Sequence, residues 1–395
     1  MRIGAVPNGY KLPNHSMATT KIESSTSLSS DLLYDILRRL DGPSLAKAAC
    51  TCADFCSLSK EEVLWENACH SLWPSTHRDD VRSLISSIGG FRRFYADCFP
   101  LIVNEDIPAV QTDDNLPYPA DWNEDDYYGD SDENETIFPS DFVSIVDVRY
   151  KEKTVYSKVL WGIPDSDGSN GWFHTCPFRI DLLRYSDGTG NEDGDVMLSV
   201  DDGLPSITSL ERERKDGRLW RDLHEGIVLS WIIVNRRLKQ AANLTSWRPL
   251  GRQRHWPTDR NFVLRFGSIL PVKDIPPCQV AKCIIVMKFS IVGAGNGEGG
   301  MATGLRLTEL SMQVENMAGA HVNGRNSLLV LKEALSCRRS RNYGEVLEYC
   351  HLYLKAQNEF KEEKIRNESW FDKVYIISSI AVVAAFLLLL HTLKM

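Results

Sequence analysis

Three cysteines, Cys50, Cys52 and Cys56, form the chain's tightest cluster of soft metal ligands. Zinc takes four ligands in a tetrahedron. On a helix Cys52 and Cys56 would share a face while Cys50 is rotated away, and no second cysteine pair lies nearby at finger spacing. The expectation is core or half-buried thiols and no metal. Gly293, Gly295, Gly297, Gly299 and Gly300 follow a strand-like run, as a dinucleotide loop would, but Glu298 stands where the pattern needs its third glycine. A negative side chain there opposes a pyrophosphate, so a hairpin connection is expected and no cofactor. His174 and Cys176 are two residues apart with no third group to orient them, a poor catalytic dyad. No nucleophile-and-base set or tuned acid pair emerges, so the chain is read as a non-enzyme.

A basic, aromatic stretch is more suggestive. Arg236, Arg237, Lys239, Arg248, Arg252, Arg254, Arg260 and Arg265 are interleaved with Trp231, Trp247, His255 and Trp256. Guanidinium groups grip carboxylates or phosphates in pairs of hydrogen bonds, and indoles offer stacking area. Trp231, Arg248, Arg252, Arg254 and Trp256 are the candidates for binding a protein target. The same residues would also serve to pair with acidic residues of the chain or to cover a sheet edge.

These groups must be held by a framework. A chain of 395 residues has length for two or three domains. The formal charge of -8 argues against a general nucleic-acid binder, and ten irregularly spaced cysteines suit reduced thiols better than a disulfide scaffold. Residues 1–26 are polar, lack the apolar core of a signal peptide and read as flexible. Leu28, Leu32, Leu33, Ile36, Leu37 and Leu40 then recur at helical steps, with Asp31 and Asp35 early and Arg38 and Arg39 late, as the helix dipole favours. Asp41, Gly42 and Pro43 end that helix, and a second carries Leu45. Residues 78–100 form a helical extension interrupted at Gly89 and Gly90.

The segment 110–137 reads as an acidic linker, since residues 113–136 hold ten acidic side chains and no basic one. From residue 138 to 365 the pattern is mixed and strand-rich, with strands expected at Phe142–Val148, Val155–Trp161, Phe262–Leu270, Val280–Val292 and Leu305–Val314. A curled sheet or β-sandwich is the expected form. Residues 218–242 suit a helix, although Ile227–Val234 would equally make a strand. Leu328–Ser336 and Tyr343–Lys364 read as helices. The fold class is therefore α+β, a small helical bundle followed by a strand-dominant domain.

The final segment, 374–393, carries no acidic or basic side chain, His391 aside. Twenty helical residues span about 30 Å, the thickness of a bilayer's hydrocarbon core. Trp370, Phe371 and Tyr375 sit where one interface would be. The expectation is a single-pass, tail-anchored membrane protein with its N-terminal bulk in the cytosol. The competing account is a buried C-terminal core helix.

The segment 27–71 resembles the F-box. The apolar helix, Leu45, the run Ala48-Ala49-Cys50-Thr51-Cys52, Phe55, Leu58 and the closing Leu64-Trp65-Glu66 follow that motif's order and spacing. Ser29 stands where many F-boxes have proline, and it can cap the helix instead. The chain is similar to a plant family of F-box proteins of about this length. The resemblance implies binding to a Skp1-like adaptor, through it to cullin and RING subunits, and recruitment of an unknown protein substrate for ubiquitin transfer. Leu28, Leu32, Leu33, Ile36, Leu37, Leu45 and Trp65 are the expected adaptor-binding residues. The alternative is a membrane-tethered, non-catalytic binding protein without ligase partners.

Overall fold

The computed structural model describes residues 29–104, 137–164, 173, 176–184, 204–205, 217–250, 261–272, 280–292 and 304–393. Several expectations lie outside these residues: the N-terminal 1–26, most of the acidic linker, Leu28, Arg252, Arg254, Trp256, His174 and the glycine-rich run from Gly293 to Gly300. The chain divides into two units, Met1–Ser59 and Lys60–Met395.

The first unit holds three short helices, α1 (Ser30–Leu37), α2 (Gly42–Ala48) and α3 (Ala53–Leu58). Ser29 caps α1, its hydroxyl accepting the Leu32 N–H at 3.3 Å. Asp41 caps α2 the same way, accepting from Ser44 N–H at 2.9 Å, with Pro43 in the first turn where its missing N–H is harmless. Cys50, Cys52 and Cys56 are exposed free thiols, which corrects the expectation of core cysteines. The physical reason is α2's narrow apolar face: Leu45 and Gly42 are its buried residues, and Cys50 and Cys52 lie beyond its end.

The second unit opens with α4 (Glu62–Leu72), a 3-10 turn (Pro74–His77), α5 (Asp79–Ser87) and α6 (Gly90–Cys98). Gly89 and Gly90 separate the last two at φ +119° and +87°, backbone that side chains with a Cβ rarely adopt. A short pair of strands follows, β1 (Leu101–Ile102) with the distant β10 (Arg339–Ser340).

Two four-stranded antiparallel sheets make the centre of this unit. The first has order β3-β2-β5-β6, from β2 (Phe142–Tyr150), β3 (Lys153–Trp161), β5 (Ile227–Asn235) and β6 (Gln240–Asn243). The second has order β4-β9-β8-β7, from β4 (Arg179–Arg184), β7 (Asn261–Pro271), β8 (Val280–Val292) and β9 (Gly304–Glu315). Their alternate residues share one core, from Val146 and Trp231 on the first sheet to Phe266, Ile285 and Met312 on the second. Among the described residues neither sheet closes into a barrel or into a sandwich, one of the forms expected from sequence. Helices α7 (Arg218–Gly226) and α8 (Gly324–Ala334) add Leu219, Leu223, Leu328 and Leu331 to the same core. The segment expected as a long helix over 218–242 is thus α7 followed by β5 and β6. Its β-branched run, Ile227 to Val234, pairs along β2 from Tyr150↔Ile227 to Phe142↔Asn235.

The stretch expected as a helix over Tyr343–Lys364 and the apolar C-terminal run belong to one element. Helix α9 is continuous over Tyr343–Leu393. Its start is docked, with Val346, Cys350, Tyr353 and Ala356 in a satellite core beside Leu101, Ile269, Val280 and Met317. Past Lys361 it is almost wholly exposed.

Candidate adaptor-docking site

A helix with more leucines than its own core can cover leaves the surplus for a partner. On α1 the apolar stripe is split. Leu37 is 1% exposed, Leu33 is half-buried, and Leu32 and Ile36 are 47% and 41% exposed. Leu32 and Ile36 are four residues apart, so they stand one above the other on a single face. Arg39 and Arg38 bind Asp35 at 2.8 and 3.2 Å, which holds the polar side of the helix in order. Leu45 on α2 is fully buried. Of the expected docking residues, Leu32 and Ile36 are presented, Leu33 partly so, and Leu37 and Leu45 support the unit from within. The stripe's periodicity named all of them, but it does not say which side another helix covers.

Trp65 lies in the second unit and is 6% exposed. Its ring meets Tyr95 at 5.3 Å between centroids, tying α4 to α6. It is not a free anchor. Val63, on the opposite side of α4, is 48% exposed and was not singled out by sequence. A valine that follows Glu61-Glu62 and precedes a buried Leu64-Trp65 pair is the signal that could have found it.

Polar contacts tie α4 to α6 and the turn after α4 to the first sheet. Glu62 Oε2 accepts the Phe91 N–H at 2.8 Å, capping α6. Trp73 Nε1 donates to Ser230 Oγ at 3.1 Å. Asp147 Oδ1 accepts from Ser75 N–H at 3.1 Å, Ser75 Oγ at 2.7 Å and Ser157 Oγ at 2.8 Å. Burial pushes the Asp147 carboxyl above its ordinary pKa despite these donors.

Of the candidate target-binding residues, Trp231 and Arg248 are among the described residues and are placed apart, one in the core and one exposed. Trp231 is fully buried in the core, its indole N–H donating to Ser144 Oγ at 3.3 Å and its backbone N–H to Asn243. A side chain with no surface cannot meet a target, so that expectation is corrected. Arg248 is exposed beside Trp247, whose ring packs on Phe99 at 4.8 Å. Arg236 instead donates to the Ser140 carbonyl at 2.6 Å. Among the described residues the basic, aromatic stretch is thus divided among core, loop and sheet end.

Among the described residues no group of three or more His, Cys, Asp or Glu side chains could hold a metal ion, and Cys69, Cys98, Cys283 and Cys350 are buried thiols. Burial raises the thiol pKa to about 12 at Cys283 and about 11 at Cys350, which makes them inert packing groups.

Comparison with known proteins matches residues 25–67 to the F-box domain. Over 364 residues the chain is 26% identical to the "Probable F-box protein At2g36090" of Arabidopsis thaliana, covering 90% of each. It is 28% identical to the "F-box protein At2g27310" of the same plant over 91% of this chain and 95% of that one. The "F-box protein GID2" of Oryza sativa subsp. japonica is 38% identical over 71 residues, 18% of this chain and 34% of the relative. No solved structure matches the chain. The F-box is a non-catalytic adaptor-binding module, and residues 25–67 of this chain, from before α1 into α4, are an F-box domain.

Proposed function

We propose that this chain is the target-recognition subunit of an SCF-type ubiquitin ligase, with its F-box on a Skp1-like adaptor that leads to cullin and RING subunits. The observation that carries the reading is the F-box at residues 25–67 together with the exposed Leu32 and Ile36 on α1. Leu32, Ile36 and Leu33 make the contact, and Leu37 and Leu45 hold α1 and α2 from within. Leu32 and Ile36, 47% and 41% exposed on one helix face, gain roughly 1 kcal/mol each when a partner buries the rest. The region 138–365 holds the target, and associated enzymes transfer ubiquitin by proximity.

The same reading places the complex at a membrane, as a single-pass protein with the body on the cytosolic side. Among the described residues one helix, α9, is long and apolar enough to cross a bilayer, and its apolar window is unburied. Ile377, Ile380, Val382 and Phe386 are 56–68% exposed as a group with Ile376. Leaving them in water would be unfavourable by several kcal/mol. Ser378 and Ser379 satisfy their hydroxyls on the Tyr375 carbonyl, both at 2.8 Å, so they do not oppose insertion.

Co-purification of the adaptor with the wild-type chain and with Leu32→Asp plus Ile36→Asp tests the docking. The double substitution abolishes it. Equal recovery of the adaptor would refute the docking face, and no recovery with either chain would favour a membrane-tethered binding protein without ligase partners.

A further inference from the structure

Trp161 closes β3 with 43% of its surface in water. Its ring is nonetheless fixed. The indole N–H donates to Asp80 Oδ2 at 3.2 Å, and Asp80 is itself gripped by Arg78, Nε at 3.0 Å and Nη2 at 2.7 Å. The Arg236 guanidinium lies 6.0 Å from the ring centroid and is held by its bond to the Ser140 carbonyl. An exposed tryptophan already locked in one rotamer loses little conformational entropy when something covers it, which is the property of an interface anchor.

Strand register defines what surrounds it. Val143 pairs with Trp161 on one side of β2, and with Val234 on the other. The turn joining β5 to β6, Arg236 to Lys239, therefore lies at the same end of the sheet as Trp161. Its side chains are Arg236, Arg237, Leu238 and Lys239, all exposed. Leu238 and Phe138 add apolar area, at 40% and 51% exposure. Two carboxylates lie nearby: Asp80, paired with Arg78, and Asp141, which accepts the Phe138 N–H at 3.2 Å. What this face offers is a pinned indole, two flanking apolar side chains and a basic rim.

We propose that this sheet end is a docking site for an acidic segment of a target protein, with Trp161 as the apolar anchor and the Arg236–Lys239 turn as the charged rim. Charge decides the class of occupant: three cations on one short turn favour acidic partners and reject basic ones. The proposal rests on the receptor reading above and adds the place and chemistry of target capture.

The test uses the full chain, purified in detergent, and two fluorescein-labelled short peptides of alternating Glu and Tyr or alternating Lys and Tyr. Fluorescence anisotropy should show the Glu peptide binding and the Lys peptide not. Trp161→Ala should weaken the Glu peptide by about tenfold or more, as for an interface anchor. Lys239→Glu, at an exposed turn position, should weaken it several-fold, and Trp161→Phe should retain part of it. Equal binding of both peptides, or unchanged affinity in both Trp161→Ala and Lys239→Glu, overturns the site. Adaptor recovery is read on the same samples. If it is intact while peptide selectivity is missing, the docking site alone fails. If the wild-type chain recovers no adaptor, it is the receptor reading that fails.

Discussion

Glu62 and Phe91 are twenty-nine positions apart, yet the Glu62 carboxylate accepts the Phe91 backbone N–H at 2.8 Å. Phe91 sits in the first turn of α6, where N–H groups have no partner within the helix. A carboxylate there satisfies a donor and complements the positive end of the helix dipole. The contact links the last helix of the F-box to the helices behind it. Gly90 makes room for it, since a Cβ there would fall 2.5 Å from Glu62 Oε1.

Glu62→Ala should therefore lower stability by about 1 kcal/mol, the usual loss of a cap. Gly90→Ala should do at least as much harm, because it combines the clash with backbone at φ +87°. Denaturant melts of both variants would check this, and an unchanged midpoint for either would contradict the capping geometry.

The two sides of α1 should separate folding from docking. Leu37→Ala removes a side chain that is 1% exposed and should cost about 2–5 kcal/mol. Leu32→Asp touches a face in water and should leave the melting temperature nearly unchanged while adaptor recovery falls. Circular dichroism melts paired with the co-purification assay distinguish the two.

Trp231→Ala should behave as a core deletion. The side chain is fully buried and its indole N–H is bonded to Ser144, so about 3–5 kcal/mol is lost and soluble yield falls. Arg248→Ala, at an exposed position, should leave the yield near that of the wild type.

Removal of residues 374–395 should release the chain from carbonate-washed membranes without altering the melting of the body. The docked part of α9 ends before the apolar run, with Tyr353 and Ala356 inside and Ile376 to Phe386 outside. From Lys361 to Lys373 the helix would stand off the membrane by about 20 Å at 1.5 Å per residue. A full-length chain found entirely in the soluble fraction would defeat the anchor.

His70 gives a pH dependence. Its ring stacks on His77 at 3.9 Å and its Nε2 lies 3.2 Å from the Thr76 carbonyl. Burial, then the neighbouring His77, hold its pKa below the ordinary 6.5, against the opposing pull of Glu66. The folded form thus takes up a proton less readily than the unfolded form. Stability contributed by neutral His70 is full above about pH 6.5 and is lost as pH falls toward the folded pKa. Between about pH 7.5 and about pH 5.5 the wild-type melting temperature should fall more than that of His70→Gln. Parallel curves would show that His70 does not titrate across folding.

Much of the architecture was legible because periodicity is local. Val280–Val292 is rich in β-branched and other apolar residues and becomes β8, the leucine steps of α1 are helical, and the C-terminal run is apolar from Ile380 to Leu390. The F-box could be read because its residues lie close together in sequence. Three features depended on distant neighbours. Trp231 looked like a binding residue in a basic stretch, but Ser144, eighty-seven positions away, lies beside it in the core. Trp161 attracted no notice in its strand and became an exposed anchor only through Asp80, eighty-one positions back. The docking of the start of α9 rests on Tyr353 and Ala356, which pack in the satellite core beside Leu101 and Ile269. A sequence pattern fixes which side chains share a face. Which face is covered depends on segments brought together by the whole chain's burial of apolar surface, and only the tertiary structure decides that.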